Sequence, residues 1–311
     1  MKAEVKWMNG RSLSEPMTIG VIAVVCVAFV LSVFCFASMF IINKKDTSVT
    51  DLPGNNNIVT PEPENEYQDV DPETSAKIAA LKNEIAVYDK ILASNYMLLV
   101  NKEHALPEGY SPSSLIDTES NPAVKLETVA AIKIQEFINA AKQAGYACKV
   151  IVGYRSADDQ ESVYNRAYQS EINAGYTAEE AEARIGLSVA KPGYSEYETG
   201  YTVSIAENSN ITKEEMIGSD LYKFISENIY KYGFILRYPE GKQDITGYEF
   251  DPFCYRYIGD EGVSDGILSM SHAQYIYEKN FSFEEYIDYL TAKRAYAVQN
   301  LNVSFAESDR H

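Results

Sequence analysis

Ser195-Glu196-Tyr197-Glu198-Thr199-Gly200-Tyr201-Thr202-Val203-Ser204 is the stretch whose reading decides the fold. It follows Ala190-Lys191-Pro192-Gly193, where the chain is broken by proline and glycine, and precedes a second run, Asp251-Pro252-Phe253-Cys254-Tyr255-Arg256-Tyr257. The chain holds only three histidines, His104, His272 and His311, and none falls in either run. That scarcity limits both metal binding and acid–base chemistry.

Outward from these runs the pattern is that of a mixed α and β domain. Ala147 to Tyr154 is an apolar, valine-rich segment that reads as a buried strand. It delivers Arg155-Ser156 and, three residues later, Gln160. Residues 126–145, 158–185 and 221–232 carry helical patterns, and Ile78, Leu81, Ile85, Tyr88 and Leu92 follow a 3-4 spacing from Thr74 onward. Two heptads are too short for a coiled coil, so that first helix is expected to pack on the domain. Ser282 and Glu285 are placed as a capping box at the start of a last helix.

The two runs, with Tyr154-Arg155-Ser156-x-x-x-Gln160, Tyr232-Gly233-Phe234-Ile235-Leu236-Arg237-Tyr238-Pro239 and Thr246-Gly247-Tyr248, resemble the VanY-type D-alanyl-D-alanine carboxypeptidases, zinc peptidases of bacterial cell walls. The resemblance covers about residues 95–290. It implies an α+β fold of the VanY/Hedgehog-like type, a small central and mostly antiparallel sheet with helices around it. The family's pattern is S-x-H-x-x-G-x-A-x-D followed by E-x-x-H, where the two histidines and the aspartate bind zinc and the glutamate is the catalytic base. Here Tyr197, Ser204 and Cys254 stand at the ligand positions and Asp251 at the base. Val152 stands where the family usually has serine.

These replacements remove the metal chemistry. Catalytic zinc wants three protein ligands and an open place for water. The Tyr197 phenol ionises only near pH 10, so its use at neutral pH costs about 4 kcal/mol, and a serine hydroxyl is a far poorer ligand than a carboxylate. Cys254 alone is a plausible ligand, through its thiolate. Asp251 is one methylene shorter than glutamate, and a misplaced base can cost about 10²-fold; before Pro252 it also suits a turn. The expectation is therefore no zinc and no catalytic residue. Arg155, Gln160 and Ser195 match the family's substrate-facing residues, Arg155 as a carboxylate or oxyanion partner or as a structural arginine. Tyr194, Tyr197 and Tyr201 flank the position and can floor a groove or plug it. Cys254 lacks a visible histidine partner for nucleophilic work; with Cys148 it forms either a disulfide or a pair of buried thiols.

The 311 residues hold 27 basic and 45 acidic side chains, a net charge of −18. So acidic a surface repels nucleic acid, which is excluded as a partner. Residues 17–43 contain an uncharged run, Met17 to Ile42, long enough to span a hydrocarbon core of roughly 30 Å, and read as an uncleaved signal anchor after a cytoplasmic tail of residues 1–16. Residues 44–76, with eight acids between Asp46 and Ala76 and four prolines, read as a disordered linker. Residues 77–292 are the carboxypeptidase-like domain and 293–311 a C-terminal tail. The expected protein is a single-pass, membrane-anchored, extracytoplasmic pseudoenzyme that binds peptidoglycan stem peptides or an envelope protein. Its rivals are an active carboxypeptidase using Cys254, Asp251 and Tyr197, and a scaffold with a blocked groove.

Overall fold

A computed structural model describes residues 71–259 and 270–308. Helix α1 (Pro72–Leu92) starts on Asp71, whose carboxylate accepts from the backbone of Glu73 and Thr74, with proline at the first helical position. A hairpin of β1 (Leu115–Thr118) and β2 (Asn121–Glu127) leads into α2 (Thr128–Gln143). The valine-rich segment forms β3 (Lys149–Val152). The helical pattern of 158–185 is two helices, α3 (Ala157–Asn173) and α4 (Ala178–Ile185), each opened by a reciprocal capping box and parted near Gly175, which takes a left-handed φ of 98°.

The run that opens the sequence folds as one turn of 3₁₀ helix (Glu196–Thr199) and strand β4 (Thr202–Ala206). Gly200 joins them at φ 77°, a left-handed conformation that favours glycine, and a Cβ there would crowd the side chains of Glu127 and Pro112 at 3.2 Å. Then follow α5 (Lys213–Ile217), α6 (Asp220–Asn228), β5 (Phe234–Tyr238), α7 (Gln243–Thr246) and β6 (Asp251–Tyr257). Helix α8 (His272–Lys279) and α9 (Phe283–Ser308) end the described chain. The Ser282–Glu285 box forms in both directions, and α9 runs on to pack along α1.

The main sheet has the order β3-β4-β6-β5, and every pairing is antiparallel. Side chains alternate across it. Val203, Ile205, Tyr255, Tyr257 and Phe234 enter a core with Ile134, Phe137 and Ile138 of α2. The opposite face carries Thr202, Ser204, Cys254, Arg256 and Arg237, and this polar face positions the site.

The expected fold class is corrected in one respect. Among the described residues no helix is long and apolar enough to cross a membrane. The two long helices, α1 and α9, are excluded by their charges, among them Lys77, Lys82, Glu84 and Asp89 in α1 and Glu284, Glu285, Lys293 and Arg294 in α9. Residues 17–43, on which the anchor was expected, lie outside the described residues. The transmembrane helix, the membrane as a partner and the single-pass membrane location are withdrawn together. Cys148 and Cys254 are both free and buried, so the disulfide is not formed.

Candidate functional site

Strand register builds the site. Ser204 pairs with Val152 on one side and Cys254 on the other, so these three residues lie in one row across β3, β4 and β6. The 3₁₀ turn folds back over this row and lowers Tyr197 onto it. Its hydroxyl lies 2.6 Å from Ser204 Oγ and also hydrogen-bonds the Cys254 thiol. Ser195 Oγ accepts from Tyr197 N–H, and the Glu198 carboxylate accepts from the Gly193 and Ser195 N–H groups, which fixes the turn. Asp251 begins β6, and its carboxylate accepts from Phe253 N–H at 2.9 Å, the local turn that an aspartate before proline favours.

Beside the row lies a cavity of about 370 Å³. Arg155, Gln160, Ser195, Tyr197, Ser204 and Asp251 all line it, so six of the seven residues singled out in the sequence meet there. The seventh, Cys254, is fully buried behind Tyr197. The Arg155 guanidinium stacks 4.4 Å from the centre of the Tyr197 ring and donates to Gln160 Oε1 at 3.1 Å. Gln160 Nε2 donates in turn to Ala190 O at 2.7 Å. Arg155 is thus aimed by neutral partners and keeps donors for a ligand.

The donor set does not fit zinc. A metal site favours the ionised forms of its ligands, and here the surroundings favour the neutral ones. Burial, reinforced by Cys254 and Asp251, pushes the Tyr197 phenol well above its ordinary value. Burial and the nearby Asp251 do the same to the Cys254 thiol. Burial raises the Asp251 carboxyl as well, partly offset by Phe253 N–H and Lys213. Among the described residues no three His, Cys, Asp or Glu side chains are grouped to hold a metal ion. Nor does the row contain an orphaned polar atom: the one unsatisfied buried side-chain atom among the described residues is Gln135 Oε1, on α2. Tyr197, Ser204 and Cys254 satisfy one another.

A second polar cluster sits on the same face. Glu196, next to Tyr197, points the other way and bridges Arg237 and Arg256 at 2.5 Å each, and Thr202 Oγ1 also donates to it. Arg237 pairs further with Glu284 of α9, and Asn101 donates to Glu284. The remaining guanidinium donors reach the backbone oxygens of Tyr96, Leu98, Val100 and Tyr257. Burial alone would raise the Glu196 carboxyl, but Arg256 and Arg237 outweigh it and hold it below the usual carboxylate range. This cluster carries two positive and two negative charges and ties the 3₁₀ turn, β5, β6, α9 and the 96–101 segment together.

Sequence reading missed the cluster. The available signal was an arginine inside each of two apolar strands, Phe234-Ile235-Leu236-Arg237 and Cys254-Tyr255-Arg256-Tyr257, because a buried arginine demands a carboxylate. It also missed Lys213, Tyr238, Tyr248 and Phe250 as cavity walls. Those come from separate elements, and no local pattern joins them.

Comparison with known proteins places this geometry. The family model for VanY, D-alanyl-D-alanine carboxypeptidase, matches residues 123–260. The chain is 35% identical to YodJ of Bacillus subtilis over 203 residues, which are 62% of this chain and 67% of that protein. It is 30% identical over 192 residues to a D-alanyl-D-alanine carboxypeptidase of Enterococcus faecalis, covering 62% of this chain and 65% of the relative. The chain therefore spans about two thirds of the length of these curated relatives. Among solved structures, VanYB in complex with D-alanine-D-alanine matches at a TM-score of 0.52 and 30% identity, over 62% of this chain and 97% of that one. A mutant of the vancomycin resistance D,D-pentapeptidase VanY in complex with Zn(II) matches at 0.53 and 30%, over 62% and 99%. On these similarities the chain belongs to the VanY family of D-alanyl-D-alanine carboxypeptidases, as a member with a degenerate zinc site.

Proposed function

We propose that this chain is a non-catalytic binding protein for peptidoglycan stem peptides, gripping the C-terminal carboxylate of the peptide with Arg155 and not cutting it. Arg155, Gln160 and Ser195 are the ligand-facing residues, and Tyr197, Ser204, Cys254 and Asp251 occupy the positions of the lost metal chemistry. One observation carries the reading. The Tyr197 hydroxyl closes on Ser204 in the row that the family uses for its metal, while the adjoining cavity keeps its volume and its guanidinium. A cavity of about 370 Å³ argues against the blocked scaffold. The solved relative in complex with D-alanine-D-alanine supports the ligand class.

The test is titration of the purified protein with diacetyl-L-Lys-D-Ala-D-Ala, in the presence of zinc, with free D-alanine measured in the same samples. Binding without release of D-alanine is expected, and R155M should weaken binding at least tenfold, the scale of a charge-assisted hydrogen-bond pair. Release of D-alanine would overturn the loss of catalysis; absence of binding would overturn the ligand.

A further inference from the structure

The cavity holds a second cation that the sequence pattern did not single out. Lys213, the first residue of α5, lines it together with Arg155. The lysine is half-buried, and its Nζ sits 5.1 Å from the centre of the Phe250 ring. Its element is pinned at both ends of the turn. Thr212 N–H donates to the Glu215 carboxylate, Glu215 N–H donates back to Thr212, and Met216 is fully buried beneath.

Neither Arg155 nor Lys213 forms an ion pair among the described residues. Elsewhere in this acidic chain lysines do: Lys242 with Glu285, Lys133 with Glu136, Lys191 with Glu182 and Lys125 with Asp117. The acids facing Lys213 in the cavity are Asp251 and Glu249. Asp251 turns its carboxylate onto Phe253 N–H, and Glu249 is exposed. Lys213 feels the field of Asp251 and Arg155 that of Asp159, but neither cation is paired with them, and in a chain of net charge −18 two such cations in one cavity form an anion site with two separate positions. Arg155 offers a planar fork suited to a terminal carboxylate, and lysine a point charge on a flexible stem that follows a second group.

We propose that Lys213 is the second anchoring cation of the cavity, and that it selects peptides bearing two carboxylates, the C-terminal one on Arg155 and a side-chain one on Lys213. This rests on the binding function proposed above and specifies its ligand. The probes are acetyl-D-Glu-D-Ala and its uncharged isostere acetyl-D-Gln-D-Ala, titrated calorimetrically into the wild-type protein, K213M and K213R. The acid peptide should bind the wild type about tenfold more tightly than the amide, the scale of one hydrogen bond between charged groups. That preference should vanish in K213M through loss of the acid peptide alone, and persist in K213R. Equal binding of the two peptides to the wild type overturns the role of Lys213 and leaves the Arg155 reading standing, provided R155M weakens both. Equal loss of both peptides in K213M also overturns it, since that is the mark of a merely structural lysine. If neither peptide binds the wild type while diacetyl-L-Lys-D-Ala-D-Ala does, the role of Lys213 alone falls; if none of the three binds, both readings fall.

Discussion

Glu196 and Tyr197 are neighbours in one 3₁₀ turn, yet they enter polar clusters built on opposite terms. Glu196 meets Arg237 and Arg256, and beyond them Glu284, in a group where every charge has a counter-charge and nearly all donors are used. Tyr197 meets Ser204 and Cys254, in a group with no formal charge at all. The first cluster is ionised despite full burial because each charge is paired. The second is neutral because burial, reinforced by the nearby Asp251, raises the phenol and the thiol and outweighs the cations around them. Family chemistry has gone from one side of the turn while the scaffold on the other side is intact. A domain can lose its reaction and keep its architecture when different residues of one turn serve the two purposes.

Breaking the charged side should cost most. In E196Q, Arg237 loses one of two carboxylates and Arg256 its only one, and stability should fall by about 3–5 kcal/mol in urea denaturation at pH 7. A loss under 1 kcal/mol would mean that the cluster is not what holds the turn. The pH dependence follows from the sign of the shift. The Glu196 carboxyl is depressed in the folded protein, so its contribution is present above the unfolded value near 4.3 and disappears as pH falls through the lower folded value. Wild type and E196Q should therefore converge only in strong acid.

Rebuilding the neutral side sharpens the contrast. The combined variant Tyr197→His, Ser204→Asp, Cys254→His and Asp251→Glu restores a two-imidazole, one-carboxylate donor set. Zinc at a hundred times its dissociation constant should then stabilise it by about 2.7 kcal/mol. A variant that folds and gains nothing from zinc would show that the backbone itself has drifted from the metal geometry.

Smaller effects belong to single groups around the neutral row. Asp251 is raised by burial, so its ionised form weakens the fold. D251N keeps an oxygen for Phe253 N–H and should gain on the order of 1 kcal/mol at pH 7. That gain is full above the raised folded value, fades as pH falls from there towards the unfolded value near 3.9, and is gone below it. A loss of stability in D251N at neutral pH would contradict the assignment. Least of all, EDTA and zinc should leave the thermal midpoint of the wild type unmoved; a rise with zinc would reopen the row to a metal.

Much of the fold was legible because its signals are local. The valine-rich run gave β3, and the capping pair at Ser282 and Glu285 gave the start of α9. The candidate residues were legible through the spacing of two motifs, and six of them share one cavity. Boundaries were less so: Leu126 reads as part of a helix but lies in β2, and the helical stretch 158–185 is divided at Gly175. Whether Cys148 and Cys254 pair was undecidable from sequence, since it depends on distance across the sheet, and both are free, with the Cys148 thiol pushed up to about 12 by burial.

By itself the sequence determined the family framework and the loss of its metal donors, because residue identity alone decides whether a side chain can be imidazole or carboxylate. The tertiary structure decided what stands in their place. Antiparallel register set Ser204 beside Cys254, and the turn brought Tyr197 down to close over both. It also gathered Glu196, Arg237, Arg256 and Glu284 from positions up to 88 residues apart, and put Lys213 in the wall of the cavity that Arg155 lines. Such meetings depend on how strands pair and helices pack, and no pattern along the chain records them.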